Sequence, residues 1–84
     1  MLTRVRRTRF ERGLSQKGVA RRLRISPQAL SRVEGGYLTP WPALRRELAA
    51  LYQVPEAQLW ADLDEARDFL RRRTGEVLHE PEAA

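Results

Sequence analysis

The side chains of this 84-residue chain that could do chemistry are nearly all cationic: sixteen are lysine or arginine, and fifteen of those are arginine. A guanidinium presents a planar fork of N–H donors that suits the paired acceptors of phosphates and guanine edges better than an ammonium does. A GC-rich gene would give the same bias, so placement matters more than number. Residues 1–46 hold twelve basic side chains against Glu11 and Glu34, a net +10, whereas residues 47–84 hold four against nine acids, a net −5. The first half needs a polyanionic partner. Catalytic groups are missing: the one histidine, His79, lies in the acidic C-terminal stretch, there is no cysteine, and no paired carboxylate stands beside it on a predictable face. Without thiols neither a disulfide framework nor a thiolate zinc site can form, and a reducing cytoplasm suits the chain. Asp62, Asp64, Glu65 and Asp68 read as the solvated side of a helix, some paired to arginines one turn away, rather than as cation ligands. No catalysis, metal, cofactor or small-molecule substrate is expected.

The length allows one domain with its own core. No apolar run approaches the roughly 18 residues of a membrane span, and the arginines near the N-terminus interrupt any signal-peptide pattern. Leu2, Val5 and Phe10, with Leu14 beyond, predict a short amphipathic first helix ended by Gly13. Ser15 then opens a second helix whose stripe is Val19, Ala20 and Leu23. After a break at Arg24 and Ile25, Ser26 and Pro27 supply an N-cap and a first-turn proline for a third helix. Leu30 and Val33 turn inward on that helix, leaving Gln28, Ser31 and Arg32 to point elsewhere. Gly35 and Gly36 offer the positive backbone angles that stop it. Tyr37 to Pro42 reads as a loop, and Leu44, Leu48, Leu51 and Tyr52 line a fourth helix starting after Pro42. A further helix begins near Glu56. Its Leu59, Leu63, Ala66 and Leu70 recur at the seam spacing of helices that pack on helices, flanked by Trp60 and Phe69. Arg71 to Arg73 and then Gly75 suit its end, before a frayed acidic tail.

Two helices joined by a tight turn, the second short and well capped, form the geometry that inserts one helix end into the DNA major groove, and residues 14–36 fit it. The run LSQKGVARRLRIS followed by PQALSRVEGG resembles the Cro-type phage repressor family, also called the xenobiotic response element family. The similarity runs from about Val5 to Trp60, taking in LRRELAALYQV and the terminal QLW, and leaves residues 61–84 outside. It implies an all-α, five-helix, lambda-repressor-like helix-turn-helix domain over residues 1–60. Residues 61–75 then form an extended C-terminal helix suited to dimerisation, and residues 76–84 a disordered acidic tail.

The resemblance also implies roles. Pro27, Gln28, Ser31 and Arg32 fall at base-facing positions, where glutamine pairs with adenine and arginine with guanine; a solvated charge or a phosphate contact is the alternative for Arg32. Gln16 would hold a phosphate and buttress the reading helix. Arg9 and Glu34 match a structural pair joining the first and third helices, with Arg9 close to the DNA backbone, and Ala20 matches the small residue where helices cross. Arg6, Arg7, Lys17, Arg21, Tyr37, Arg45 and Arg46 are candidates for phosphate contacts. Trp41 serves either that backbone or packing beside its prolines. The implied activity is regulation of transcription, as a repressor that binds a palindromic operator of double-stranded DNA as a homodimer. Its dimer or partner seam would be Leu59, Trp60, Leu63, Ala66 and Leu70. An antitoxin or protein-interaction adaptor built on the same fold is the alternative. The chain departs from the family pattern at Arg24, where glycine is usual in a left-handed conformation, and at Gly18, inside the second helix; each should cost about 1 kcal/mol.

Overall fold

The computed structural model describes the backbone of residues 2–83 and the side chains through Arg73. His79 and the acidic side chains of the tail lie outside the described residues. The elements are α1 (Arg4–Glu11), α2 (Gln16–Leu23), α3 (Pro27–Gly35), α4 (Pro42–Tyr52), α5 (Glu56–Leu59) and α6 (Ala61–Ala83), with no strand among the described residues. The fold is all-α, and none of its described helices is long and apolar enough to cross a membrane.

Local chemistry sets most boundaries. Ser15 Oγ accepts from the Gly18 amide at 3.0 Å and Ser26 Oγ from the Ala29 amide at 3.0 Å, so α2 and α3 each begin on a serine cap. Thr3 caps α1 in the same way, accepting from the Arg6 amide at 3.3 Å. Pro27 and Pro42 occupy first-turn positions, where a missing N–H costs nothing. Gly18 fits beside its cap because a Cβ there would stand 3.1 Å from Ser15 Oγ. Arg24 ends α2 at φ 60° and ψ 41°, in the left-handed region, and the Ile25 amide reaches back to the Ala20 carbonyl at 3.0 Å. Only Gly36, at φ +83°, supplies a positive angle after α3. Gly35 instead ends the helix itself, and its missing Cβ admits the Tyr37 ring, whose atoms would lie 3.0 Å from it.

The core joins Val5, Val19, Ala20, Leu30, Val33, Leu44, Leu48, Ala49, Tyr52, Leu59 and Trp60. Fully burying one such large side chain contributes about 1.5–3 kcal/mol. Ala20 is fully buried between α2 and α3, whose contact a larger residue would pry open. The buried face of α1 is not the expected stripe. Phe10 is 56% exposed and Leu2 44%, while Val5, Thr8 and Arg9 turn inward. A guanidinium can take an apolar residue's place there only because a carboxylate meets it, and Phe10 lies outside as a platform 4.6 Å from the Arg9 guanidinium carbon.

The helix expected to begin near Glu56 is divided in two. The chain breaks at Trp60 (φ −103°, ψ 4°), so α5 closes the five helices of residues 1–60 and α6 follows as a separate extended C-terminal helix. This break lets Leu59 and Trp60 both enter the core, where the indole donates to the Arg45 carbonyl at 3.2 Å. Helix α6 then runs as one element over Ala61–Ala83, passing Gly75, since one internal glycine weakens a helix by about 1 kcal/mol without having to end it. The molecule is correspondingly long, 52 × 24 × 23 Å.

Candidate nucleic-acid interface

Helix α3 is held by its inner stripe. Leu30 and Val33 are each 0% exposed, and the Ser26 cap and Gly36 stop leave nine residues as a short rod. The opposite side presents Pro27, Gln28 and Arg32 to solvent, with Ser31 half-buried beside them. A side-chain amide and a guanidinium one turn apart on an exposed helix face can each form two parallel hydrogen bonds to a base edge. Lys17 and Arg21 on α2, Arg7 on α1 and Arg46 on α4 are also exposed. Tyr37 is 88% exposed just past α3, and Trp41, which precedes α4, is 43% exposed.

Behind this face sits one buried carboxylate. Glu34, at 0% exposure, accepts from Arg9 Nε at 2.7 Å and Arg9 Nη2 at 3.3 Å, from Arg6 Nε at 3.3 Å and from Gln16 Nε2 at 2.8 Å. Three helices thus converge on a single side chain of α3. Arg9 completes its own bonding by donating from Nη1 to the Leu14 carbonyl at 2.9 Å. Thr3 Oγ1 donates to the Glu34 backbone carbonyl at 2.6 Å, a second tie between the start of α1 and the end of α3. Gln16 therefore braces α3 from the first residue of α2.

Two residues of the expected phosphate set are engaged within the domain. Arg9 is only 5% exposed, and the pairing with Glu34 that holds it inside also consumes its donors. Arg45 grips Asp64 with both terminal nitrogens, at 2.7 and 2.8 Å, and reaches Glu56 at 3.5 Å, so it fastens α6 and α5 to α4. That bidentate bond, the first cause, pulls the Asp64 carboxyl below its ordinary range and raises the Arg45 guanidinium. Arg6 is shared between Glu34 and the Ser31 carbonyl, the latter at 3.4 Å.

The expected seam is divided, with Ala66 and Leu70 exposed and the others turned toward the domain. Leu59 and Trp60 are 1% and 0% exposed and belong to the domain's own core, and Leu63 packs against that core. The surface on which these three residues pack is intramolecular. What α6 leaves uncovered is Phe69, 53% exposed, and Leu70, 61%.

Three contributors escaped the sequence. Thr3 carries a cap signature that was readable, although the first helix was expected to begin before it. Arg12, which donates to the Tyr52 carbonyl at 3.0 Å, and the Tyr52 hydroxyl left no local signal. That hydroxyl is buried without a hydrogen-bond partner, and burial first, then the Glu34 charge, pushes its ionisation far above the usual range, against an opposing effect of Arg9. Among the described residues no group of three or more His, Cys, Asp or Glu stands close enough to hold a metal ion.

Residues 2–61 match the family model described as a helix-turn-helix domain. No curated protein and no solved structure gives a match.

Proposed function

Because the chain belongs to the helix-turn-helix domain family, a DNA-binding and typically non-enzymatic family, we propose that it is a cytoplasmic transcriptional repressor of the Cro type that reads a palindromic operator as a homodimer. One observation carries the reading: Gln28 and Arg32 are exposed on α3 while Leu30, Val33 and Glu34 lock the other side of the same helix into the core. In this reading Arg32 takes a guanine edge, Gln28 an adenine edge, and Pro27 and Ser31 shape the contact around them. Gln16, Lys17, Arg7, Arg21 and Arg46, with Tyr37 and Trp41 at the rim, hold the backbone and set register without reading sequence. Two copies place their α3 helices about 34 Å apart, one turn of duplex, so protein symmetry is mirrored in the operator.

Selection of bound sites from randomised duplexes tests the proposal. The expected result is an inverted repeat with half-sites one turn apart, and a pool selected by the Arg32→Ala chain in which one position per half-site is relaxed. A pool that never departs from random composition would overturn it. The antitoxin or adaptor reading draws support from exposed Phe69 and Leu70 on α6; recovery of a stoichiometric partner protein from the native source would favour it.

A further inference from the structure

Helix α3 stops at Gly36, and the chain just past it lies against α6: a Cβ on Gly36 would stand 3.2 Å from Leu63 Cδ2. Beside that contact, a groove of about 600 Å³ is lined by α6 and by the loop after α3. Cavities of this size hold small organic ligands. Its apolar wall is Val33, Leu38, Pro40, Leu63, Ala66 and Leu70, of which Leu38 and Leu70 remain exposed. Its charge is one-sided. Four guanidiniums line it, those of Arg6, Arg32, Arg45 and Arg67, against the single carboxylate of Asp64. Asp64 is shared by Arg45 and Arg67, at 2.7 and 3.2 Å, with Glu56 on Arg45 at 3.5 Å. Glu34 is shared by Arg6 and Arg9, at 3.3 and 2.7 Å. Among the described residues no carboxylate holds Arg32, which is exposed.

We infer that this groove is a binding site for a small amphipathic carboxylate, with an aromatic or aliphatic body on the apolar wall and a head that accepts from the Arg32 guanidinium. Charge selects the head and the wall selects the body: a cation would meet four guanidiniums, and a fully hydrophilic anion would leave Leu38 and Leu70 wet. Arg32 also belongs to the base-facing set of α3. The guanidinium that holds the ligand is therefore withdrawn from DNA, and each occupant weakens the other by the same factor. In that consequence the inference rests on the operator reading, whereas the site itself does not.

Titration of the full chain with 4-phenylbutyrate at neutral pH, followed by amide chemical shifts, tests the site. Shifts that saturate by about 10 mM are expected at Gly36, Leu38, Ala66 and Leu70. The neutral 4-phenylbutanol should bind about 5-fold more weakly, the limit of an exposed ion pair, and Arg32→Ala should cost the acid that same factor and the alcohol nothing. Ala66→Phe fills the groove from an exposed position, so it should abolish the shifts with an unchanged far-ultraviolet spectrum. Absent or scattered shifts, or equal binding of acid and alcohol, would overturn the inference. Movement of the same amides on dilution of the free chain would overturn it too, by giving the groove to a second copy. On a duplex that accommodates one domain, phenylbutyrate at ten times its dissociation constant should weaken DNA binding about tenfold. Acetate at the same concentration should not, and Ala66→Phe should keep its DNA affinity and lose the response. Where DNA selection does depend on Arg32, an affinity unchanged by the filled groove would overturn the inference. A chain that binds phenylbutyrate at these residues yet selects no sequence would defeat the operator reading alone.

Discussion

Glu34 is the side chain whose loss should be felt most. It is fully buried, and the positive charge it neutralises on Arg9 is 95% hidden with it. Glu34→Gln keeps the shape but replaces a charged acceptor by a neutral amide whose nitrogen meets donors on Arg9, Arg6 and Gln16. Removing one partner of a buried pair costs about 3–5 kcal/mol, because the other charge is left without compensation. Domains of this size shift their midpoint by about 4–8 °C per kcal/mol, so the melting temperature should fall by at least about 12 °C. Thermal and urea melts followed by circular dichroism measure it. The decisive comparison is the pair of leucines: Glu34→Leu alone strands Arg9, while Arg9→Leu with Glu34→Leu removes both charges and should recover most of the loss. A cost for Glu34→Gln below about 1 kcal/mol, the range of an exposed ion pair, would refute the view that this carboxylate is a buried junction of three helices.

Other outcomes follow from the same contacts. Tyr52→Phe removes a buried hydroxyl that has no partner, so it should be neutral or stabilising by about 1 kcal/mol in urea melts. Because the folded-state ionisation of Tyr52 is raised, the wild-type chain should also lose stability as pH rises above the ordinary tyrosine value of about 10, a loss the phenylalanine variant lacks. Asp64 has the opposite sign: its folded-state value is lowered, chiefly by the Arg45 hydrogen bond. Its contribution is therefore present above about pH 4 and fades as pH falls further, and Asp64→Asn should flatten that part of a stability-against-pH curve. Arg24→Gly relieves a left-handed backbone at φ 60° and should raise stability by about 1 kcal/mol without weakening DNA binding; a lower melting temperature would show that the Arg24 side chain, not the backbone angle, dominates there.

What could be read from the chain was what is decided locally. Ser15, Ser26, Pro27 and Gly36 act within a turn of themselves, so their residue types announce caps and stops, and the inward pair Leu30 and Val33 follows from helical spacing alone. Arg9 is expected close to the DNA backbone; a lone guanidinium is costly to bury, and its burial depends on a carboxylate 25 positions away. The resemblance supplied that pair, but the simultaneous capture of Arg6 and Gln16 is a three-body arrangement that no local pattern carries. Leu59, Trp60 and Leu63 show the complementary failure. Their spacing says that a helix packs against them, yet spacing holds no information about whether that helix is in the same chain. The break at Trp60 and the Arg45 clamp on Asp64 decide it, and both are tertiary.

The cations spent inside the fold have a measurable consequence. Among the phosphate candidates are seven cations, Arg6, Arg7, Arg9, Lys17, Arg21, Arg45 and Arg46. Binding affinity falls with the logarithm of salt at a slope of about −0.9 per neutralised phosphate, so all seven would give about −6 for one bound domain. Arg9 and Arg45 are committed to Glu34 and Asp64, and Arg6 is shared between Glu34 and a backbone carbonyl. The four exposed cations that remain give a slope of no more than about −4. Titration of a duplex that accommodates one domain, across a range of sodium chloride concentrations, measures it directly. A slope near −6 would mean that Arg9 and Arg45 leave their carboxylates on binding DNA, and the domain would then have to loosen the same contacts that position α3 in order to use it.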